Sequence, residues 1–201
     1  MRIIGVVGQT GSGKGELCRR LAARGYLHLD TDRIYHTLLT ENQRLQADLA
    51  AAFGADIAGG DGIDRKKLAA KVFGKGKDKQ LKRLNRIAHR YVCAEVIRQI
   101  TAAKATDCKG VLIDAPLLFH ARLDRLCDAI VYVYAAEEVR LSRIIARDGL
   151  SKEEALSRIR AGQPLSGARL ARCTYFVENN GDQDLDGIAA KLAEALGGST
   201  T

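Results

Sequence analysis

The residues with the clearest chemical potential form a short glycine-rich loop near the start of the chain. The loop reads Gly8-Gln9-Thr10-Gly11-Ser12-Gly13-Lys14-Gly15 and separates an apolar run from a helical pattern. Glycines let successive backbone N–H groups turn toward phosphate oxygens, the helix N-terminus adds partial positive charge, and lysine adds a full one. This order of elements predicts a P-loop, and a plain glycine turn is the alternative. The expected ATP-binding residues are Gly8, Gly11, Ser12, Gly13, Lys14, Gly15 and Glu16.

Carboxylates follow two further apolar runs that are strand candidates. Asp30 and Asp32 end the second run, and Asp114 ends the third. Ligands of doubly wound sheets bind outside the carboxyl ends of the strands. We expect Asp32, on the strand next to that of the P-loop, to orient a substrate hydroxyl and take its proton. We expect Asp114 to hold Mg²⁺ through water, and either Asp30 or Asp32 to cap the following helix.

Two arginines, Arg143 and Arg147, are one helical turn apart and therefore share a helix face. The transition state of phosphoryl transfer spreads negative charge over equatorial oxygens, and nearby cations stabilise it. Both arginines are therefore expected to be catalytic, together with Lys14. The alternative is that they are surface residues paired with Asp148 or Glu153.

An α/β fold is expected to position these side chains. Short apolar runs alternate with helical stretches, which predicts a parallel sheet with helices on both faces. Residues 38–109 have helical periodicity without strand patterns, which predicts a helical insertion that receives a second substrate. Residues 148–168 begin with a capping-box pattern at Ser151 and predict a small helical lid. The strands are expected at residues 2–7, 26–29, 110–114, 129–134 and 175–178, and helices at 14–23, 137–147 and 184–196.

Composition restricts the partners. The chain of 201 residues has a net charge of +8, which favours anionic ligands. Basic residues concentrate between positions 65 and 90, where a polyphosphate substrate is a simpler explanation than nucleic acid, and a solvated helix face is the alternative. The five cysteines form no C-x-x-C pair, which predicts reduced thiols in a cytoplasmic protein rather than a disulfide or zinc framework. We expect small-molecule partners, no nucleic acid, no membrane and a monomer.

Taken in order, several segments resemble the dephospho-coenzyme A kinase family over nearly the whole chain. Those segments are the P-loop, Leu29-Asp30-Thr31-Asp32, Asp61-Gly62-Ile63-Asp64-Arg65-Lys66-Lys67-Leu68, Asp114-Ala115-Pro116-Leu117-Leu118-Phe119, Arg143, Arg147-Asp148-Gly149-Leu150-Ser151, Gln163 and Glu178-Asn179-Asn180-Gly181. Their order and spacing are more specific than any one of them.

The resemblance implies transfer of the γ-phosphate of ATP, with Mg²⁺, to the ribose 3′-hydroxyl of dephospho-coenzyme A, the last step of coenzyme A biosynthesis. It implies a single P-loop kinase domain over residues 1–201, with a five-stranded parallel sheet, the acceptor-binding insertion and the lid. The roles it implies are proton acceptor for Asp32, acceptor binding for Asp32, Arg65, His89 and Leu117, phosphate clamping for Arg143 and Arg147, and a contact near the ATP base for Asn179.

Three positions depart from the family pattern. Gly15 stands where the family has Ser or Thr, Arg90 follows His89 where Pro is usual, and His120 stands where an acidic residue is usual. The first bears on Mg²⁺ and the other two on the acceptor pocket. The alternatives are therefore a P-loop kinase with a different nucleotide-like acceptor, or a weakly active nucleotide-binding regulator.

Overall fold

The computed structural model describes residues 1–74, 76–162, 165–181 and 184–197. The chain forms two compact units: one comprises Met1–Leu29 with Ala102–Thr201, and the other is Asp30–Thr101. Gln163, part of the family pattern, lies outside the described residues. Within the described ranges, every helix is too short or too polar to cross a lipid bilayer.

The elements alternate as the sequence predicts. The strands are β1 Arg2–Gly8, β2 Tyr26–Asp30, β3 Ala58–Gly59, β4 Gly62–Ile63, β5 Gly110–Asp114, β6 Ala129–Tyr134 and β7 Tyr175–Glu178. The helices are α1 Lys14–Ala22, α2 Thr31–Glu41, α3 Gln43–Phe53, α4 Arg65–Val72, α5 Asp78–Ala103, α6 Glu137–Asp148, α7 Lys152–Ala161, α8 Gly167–Leu170 and α9 Leu185–Gly197. All five predicted main strands are confirmed, with ends that differ by at most one residue.

The first unit is built on a five-stranded parallel sheet in the order β2-β5-β1-β6-β7. One prediction is wrong here: β2 is not next to β1, because β5 lies between them. The chain leaves the sheet after β2 and returns only at β5, so neighbours in sequence are not neighbours in the sheet. In the resulting register Val6 of β1 pairs with Asp114 of β5, which brings that carboxylate beside the strand that leads into the P-loop.

The core of the first unit explains why its strands are almost uninterruptedly apolar. Strands covered on both faces bury every side chain, and β5 is buried at each position. Against this sheet pack the apolar faces of α1 and α9. The core side chains are Ile4, Val6, Leu17, Cys18, Leu21, Tyr26, Leu112, Ala129, Val131, Val133, Val177, Ala189, Leu192 and Leu196. The P-loop is therefore held between a rigid strand and a helix fixed by the same core.

The predicted capping box at the start of α7 is confirmed. The Ser151 hydroxyl accepts a hydrogen bond from the Glu154 backbone N–H at 3.2 Å, and the Glu154 carboxylate accepts one from the Ser151 N–H at 2.9 Å. A small cluster of Ile144, Ala155 and Ile159 packs α7 against α6. The segment predicted as a lid is thus joined to the helix that contains Arg143.

The second unit is mainly helical, with one difference from the sequence prediction. Residues 38–109 were expected to contain helices only, yet β3 and β4 form a short antiparallel hairpin. Its strands are two residues long, too short to show an alternating pattern in the sequence. Gly62, with φ of 104°, sits so close to α2 that an added Cβ would lie 2.4 Å from the Leu39 carbonyl oxygen. Glycine is required there by space and by backbone conformation.

Candidate active site

The predicted P-loop has the geometry that phosphate binding needs. β1 ends at Gly8 and α1 begins at Lys14, with Gly13 as the N-cap at φ 83°. A residue other than glycine rarely adopts that left-handed backbone conformation. Gly11 also has positive φ, and its added Cβ would lie 2.8 Å from a carbonyl oxygen of α6. Ser12 is fully buried between them. Glycine is thus required at these two tight positions of the loop.

Lys14 and Asp114 lie together at the carboxyl edge of the sheet. The Lys14 ammonium forms an ion pair with Oδ1 of Asp114, and their side chains are 15% and 5% exposed. The other carboxylate oxygen, Oδ2, lies 3.3 Å from Nε2 of His28 on β2. The structure therefore brings the predicted phosphate-binding lysine and the predicted metal-binding carboxylate to one point.

Arg143 and Asn179 fasten the P-loop from the opposite side. Nη1 of Arg143 donates to the Gly11 carbonyl oxygen at 3.4 Å and to that of Asn179 at 2.9 Å, while its Nη2 donates to the Asn179 side-chain oxygen at 3.2 Å. The Asn179 amide group donates in turn to the Ser12 carbonyl oxygen at 2.9 Å. Asn179 is only 5% exposed. These bonds fix a cation beside the loop.

A cavity of about 480 Å³ opens beside the P-loop. Its lining includes Gly13, Glu16, Arg143, Asn179 and Gly181. Glu16, on the first turn of α1, pairs with Arg19 and, at 2.9 Å, with Arg20. The cavity combines loop backbone, the Arg143 guanidinium and the Asn179 amide with the carboxylates of Glu16, Asp184 and Asp186.

Arg147 has different surroundings from Arg143, although both lie on α6. Its side chain is 62% exposed and binds Asp148 through Nε at 2.8 Å and Nη2 at 2.9 Å. The Arg147 guanidinium holds the pKa of the Asp148 carboxyl below its usual range. Arg158 of α7 also contacts Asp148. In this structure Arg147 is therefore a surface arginine paired with Asp148, as the alternative interpretation of the sequence stated.

In the second unit the structure separates the roles of Asp30 and Asp32. The Asp30 side chain is the N-cap of α2 and accepts hydrogen bonds from the backbone N–H groups of Asp32 at 2.9 Å and Arg33 at 3.1 Å. Asp32 lies in the first turn of α2 and is exposed. One aspartate thus has a structural role, as expected, and the other presents its side chain to solvent.

The second unit also contains a cavity of about 740 Å³ between α2, α4 and β4. Tyr35, His36, Arg65 and Lys66 are among its lining residues, beside apolar side chains such as Leu68. The Tyr35 hydroxyl is buried and has no hydrogen-bond partner within the described part of the chain. Burial raises the pKa of Tyr35 to about 12, an effect that the Arg65 charge partly offsets. This cavity combines the positive charge of Arg65 and Lys66 with a tyrosine whose hydroxyl is buried.

Three of the four predicted acceptor residues, Asp32, His89 and Leu117, are not among the lining residues of that cavity. His89 is half-buried on α5, while Arg65 lies at the start of α4 on the cavity wall. Leu117, in the loop after β5, is 43% exposed in the first unit. The acceptor role of Leu117 stays a prediction, because its exposed side chain does not line that cavity.

Sequence reasoning missed His28 and Tyr35. His28 has no role predicted from the sequence, but its side chain contacts Asp114. The available signal was a polar residue inside the otherwise apolar strand β2. Tyr35 follows Ile34 in an ordinary amphipathic helix, and no sequence signal distinguishes its buried hydroxyl from a core aromatic residue.

Comparison with known proteins identifies the family. The sequence profile described as dephospho-CoA kinase matches residues 2–184. The chain belongs to the dephospho-CoA kinase family. A dephospho-CoA kinase of Carboxydothermus hydrogenoformans is 37% identical over 180 residues, which cover 89% of this chain and 86% of that protein. Members of this family are kinases, so the protein is a phosphotransferase with a P-loop fold.

Solved structures agree with the fold. A crystal structure of TT1252 from Thermus thermophilus has a TM-score of 0.79 at 31% identity and covers 96% of both chains. Dephospho-CoA kinase from Campylobacter jejuni has a TM-score of 0.63 at 21% identity and covers 97% of both chains, a likeness that concerns the fold alone. The family profile over residues 2–184 and the 37% identical relative carry the functional likeness, and they do not favour a nucleotide-binding regulator.

Proposed function

We propose that the protein transfers the γ-phosphate of ATP to the ribose 3′-hydroxyl of dephospho-coenzyme A and thereby completes coenzyme A. The family match over residues 2–184 is the observation that carries this proposal. The contact of Lys14 with Asp114 at the P-loop supports it, because a nucleotide-binding loop beside an acidic strand end suits ATP.

The proposed reaction needs little covalent chemistry from the protein. The ribose oxygen attacks the γ-phosphorus, the bond to the β–γ bridging oxygen breaks, and ADP leaves. We assign Asp32 as the group that accepts the hydroxyl proton, because its exposed carboxylate is not used in a helix cap as that of Asp30 is. The assignment also rests on the resemblance of Asp30-Thr31-Asp32 to the family pattern.

Three side chains are proposed to place positive charge beside the phosphates. Lys14 releases Asp114 and binds the terminal phosphates, and the P-loop N–H groups hold the others. Arg143 is already fixed beside the loop by its bonds to Gly11 and Asn179. Arg147 joins it by exchanging its exposed partner Asp148 for phosphate, a small loss because exposed ion pairs contribute little.

Mg²⁺ fits the residues present. Asp114 supplies the carboxylate oxygens that Mg²⁺ prefers, and the position of a Cβ on Gly15 is 4.0 Å from Oδ2 of Asp114, which leaves space for water. We infer that Asp114 holds the ion through water and that water replaces the hydroxyl that Ser or Thr would provide at position 15. When bound, Mg²⁺ neutralises charge that develops on the phosphates.

The acceptor is proposed to bind in the second unit, the helical insertion of the domain. The cavity lined by Tyr35, Arg65 and Lys66 offers cations and a hydroxyl, which suit a phosphate-bearing molecule. His89 and Leu117 are assigned to the acceptor on family resemblance. Residues 148–168 are proposed as the lid that closes over ATP. We further propose a cytoplasmic monomer that acts on small molecules.

The test supplies Mg-ATP with dephospho-coenzyme A, AMP, CMP or shikimate and measures which acceptor gains the mass of one phosphoryl group. Phosphorylation of dephospho-coenzyme A alone is expected, and preference for another acceptor would contradict the proposal. Lys14→Ala is expected to abolish transfer. Asp32→Asn should lower turnover by several orders of magnitude while an ATP analogue still binds, whereas Asp107→Asn, at an exposed carboxylate elsewhere, should act like the parent. Unchanged turnover in Asp32→Asn would remove the base assignment.

A further inference from the structure

Three side chains of different elements meet under the P-loop with the composition of a metal site. The ligand atoms of Cys18 on α1, His28 on β2 and Asp114 on β5 all lie within 4.8 Å of one another. Their elements are held by one core, because Cys18 itself belongs to the cluster that packs α1 on the sheet. The position of the three groups is therefore fixed by the fold and not by a flexible loop.

The combination of thiol, imidazole and carboxylate selects a class of ion. Mg²⁺ prefers oxygen ligands, whereas Zn²⁺ takes Cys sulfur, His nitrogen and carboxylate oxygen in tetrahedral sites. Metal–ligand bonds of the usual length place two tetrahedral N and O ligands about 3.4 Å apart. Nε2 of His28 and Oδ2 of Asp114 are already 3.3 Å apart. Only the sulfur has to move closer, by a distance of the order of 1 Å.

The two oxygens of Asp114 face different partners. Oδ1 contacts the Lys14 ammonium, and Oδ2 faces His28. An ion bound through Oδ2 therefore does not need the position that Lys14 occupies. His28 is 19% exposed while Asp114 is 5% exposed, so the cluster is more open to solvent at the histidine than at the carboxylate.

We propose that Cys18, His28 and Asp114 bind one Zn²⁺ ion, with water as the fourth ligand. Among the three, only Asp114 belongs to the family segments quoted above, and the spacing of Cys18 and His28 in the sequence predicted no zinc site. It shares the Asp114 carboxylate with the proposed Mg²⁺ site of phosphoryl transfer, and Cys18 and His28 are the ligands that separate the two proposals. The proposal rests on geometry in the first unit and does not depend on the identity of the phosphate acceptor.

The test titrates Co²⁺, a spectroscopic substitute for Zn²⁺, into the full-length protein without nucleotide. We expect one ion per chain and a thiolate-to-cobalt charge-transfer band, which Zn²⁺ then abolishes by displacement. Cys18→Ser and His28→Gln should each weaken Zn²⁺ binding by at least about tenfold in calorimetric titration, since each removes one of three protein ligands. The matched controls are Cys173→Ala and His120→Gln, which change the same residue types outside the cluster and should bind as the parent does.

A second measurement separates loss of a ligand from loss of the fold. Zn²⁺ should raise the thermal midpoint of the parent and of both controls, and should raise the midpoints of Cys18→Ser and His28→Gln by less. Binding should release protons, because the thiol has to ionise, and should strengthen as pH rises. Parental Zn²⁺ affinity in folded Cys18→Ser, or a cobalt spectrum without a thiolate band, would overturn the proposal. Kinase activity is not a readout, so failure here is separable from failure of the proposed reaction.

Discussion

Gly13 and Gly15 flank Lys14, yet the structure predicts opposite responses to the same added methyl group. Gly13 has φ of 83°, and a Cβ there would lie 2.2 Å from Nδ2 of Asn179. Gly15 lies inside α1, and the nearest heavy atom to its added Cβ is Oδ2 of Asp114 at 4.0 Å. Gly13→Ala is expected to destabilise the protein and Gly15→Ala to stabilise it.

The cost of Gly13→Ala has two parts. The left-handed conformation costs a residue with a Cβ about 1–2 kcal/mol. The methyl group also displaces the buried Asn179 amide, whose hydrogen bond to the Ser12 carbonyl oxygen measures 2.9 Å. Leaving these buried polar groups without partners costs about 1–3 kcal/mol. The free energy of unfolding should therefore fall by about 2–5 kcal/mol.

The gain from Gly15→Ala comes from backbone entropy. Replacing glycine by alanine where the backbone conformation suits alanine stabilises a protein by about 0.4–1 kcal/mol, chiefly by reducing the entropy of the unfolded chain. No steric term offsets this gain, since 4.0 Å is an ordinary contact distance. For a protein of this length, 1 kcal/mol shifts the thermal midpoint by about 2–4 °C. We therefore expect Gly13→Ala to lower the midpoint by about 4–20 °C and Gly15→Ala to raise it by up to about 4 °C.

The assay is thermal unfolding without nucleotide, followed by circular dichroism at a fixed scan rate. Gly167→Ala is the control, because a Cβ at Gly167 has no neighbour within 4 Å. A midpoint for Gly13→Ala within about 2 °C of the parent would refute the reasoning. So would a Gly15→Ala midpoint that falls as far as that of Gly13→Ala.

Three further predictions concern other parts of the site. Arg143→Ala should weaken binding of an ATP analogue by at least about tenfold, because it removes a cation fixed at the P-loop. Arg147→Ala should leave the thermal midpoint within about 2 °C of the parent, because the ion pair of Arg147 is exposed. The pKa of Tyr35 is near 10 in the unfolded chain and about 12 in the folded protein, so the free energy of unfolding should fall as pH rises between these values. Tyr35→Phe should reduce that fall, as measured by urea unfolding at about pH 9 and about pH 11. Gly15→Ser should lower the Mg²⁺ concentration that gives half-maximal turnover, and an unchanged Mg²⁺ dependence would contradict the proposed water ligand.

Local patterns in the sequence were sufficient to predict the framework of the site. Five apolar runs became the five main strands, and the glycine pattern gave the P-loop with Lys14 at the start of α1. The prediction of a carboxylate at the end of β5 also placed Asp114 at the correct edge. These features depend on residues adjacent in the chain, where periodicity and turn chemistry leave a direct signal.

Long-range contacts could not be predicted in the same way. The order of the sheet put β5 between β1 and β2, and this placed His28 rather than a β2 aspartate against Asp114. The bond from Asn179 to the Ser12 carbonyl joins residues far apart in the chain. The sequence around one residue of such a contact does not identify the other residue. Predicting the contact therefore requires the strand order and register of the sheet.

The glycines of the P-loop fall into two classes with different consequences. Gly11 and Gly13 are required by positive φ and by backbone or amide atoms within 3 Å of an added Cβ. At Gly15 no such requirement exists, since the nearest atom is a carboxylate oxygen at 4.0 Å. A hydroxyl at position 15 would thus be added without distorting the loop, beside the carboxylate proposed to hold Mg²⁺. The absence of that hydroxyl is therefore expected to change how turnover depends on Mg²⁺ concentration, and not the stability of the fold.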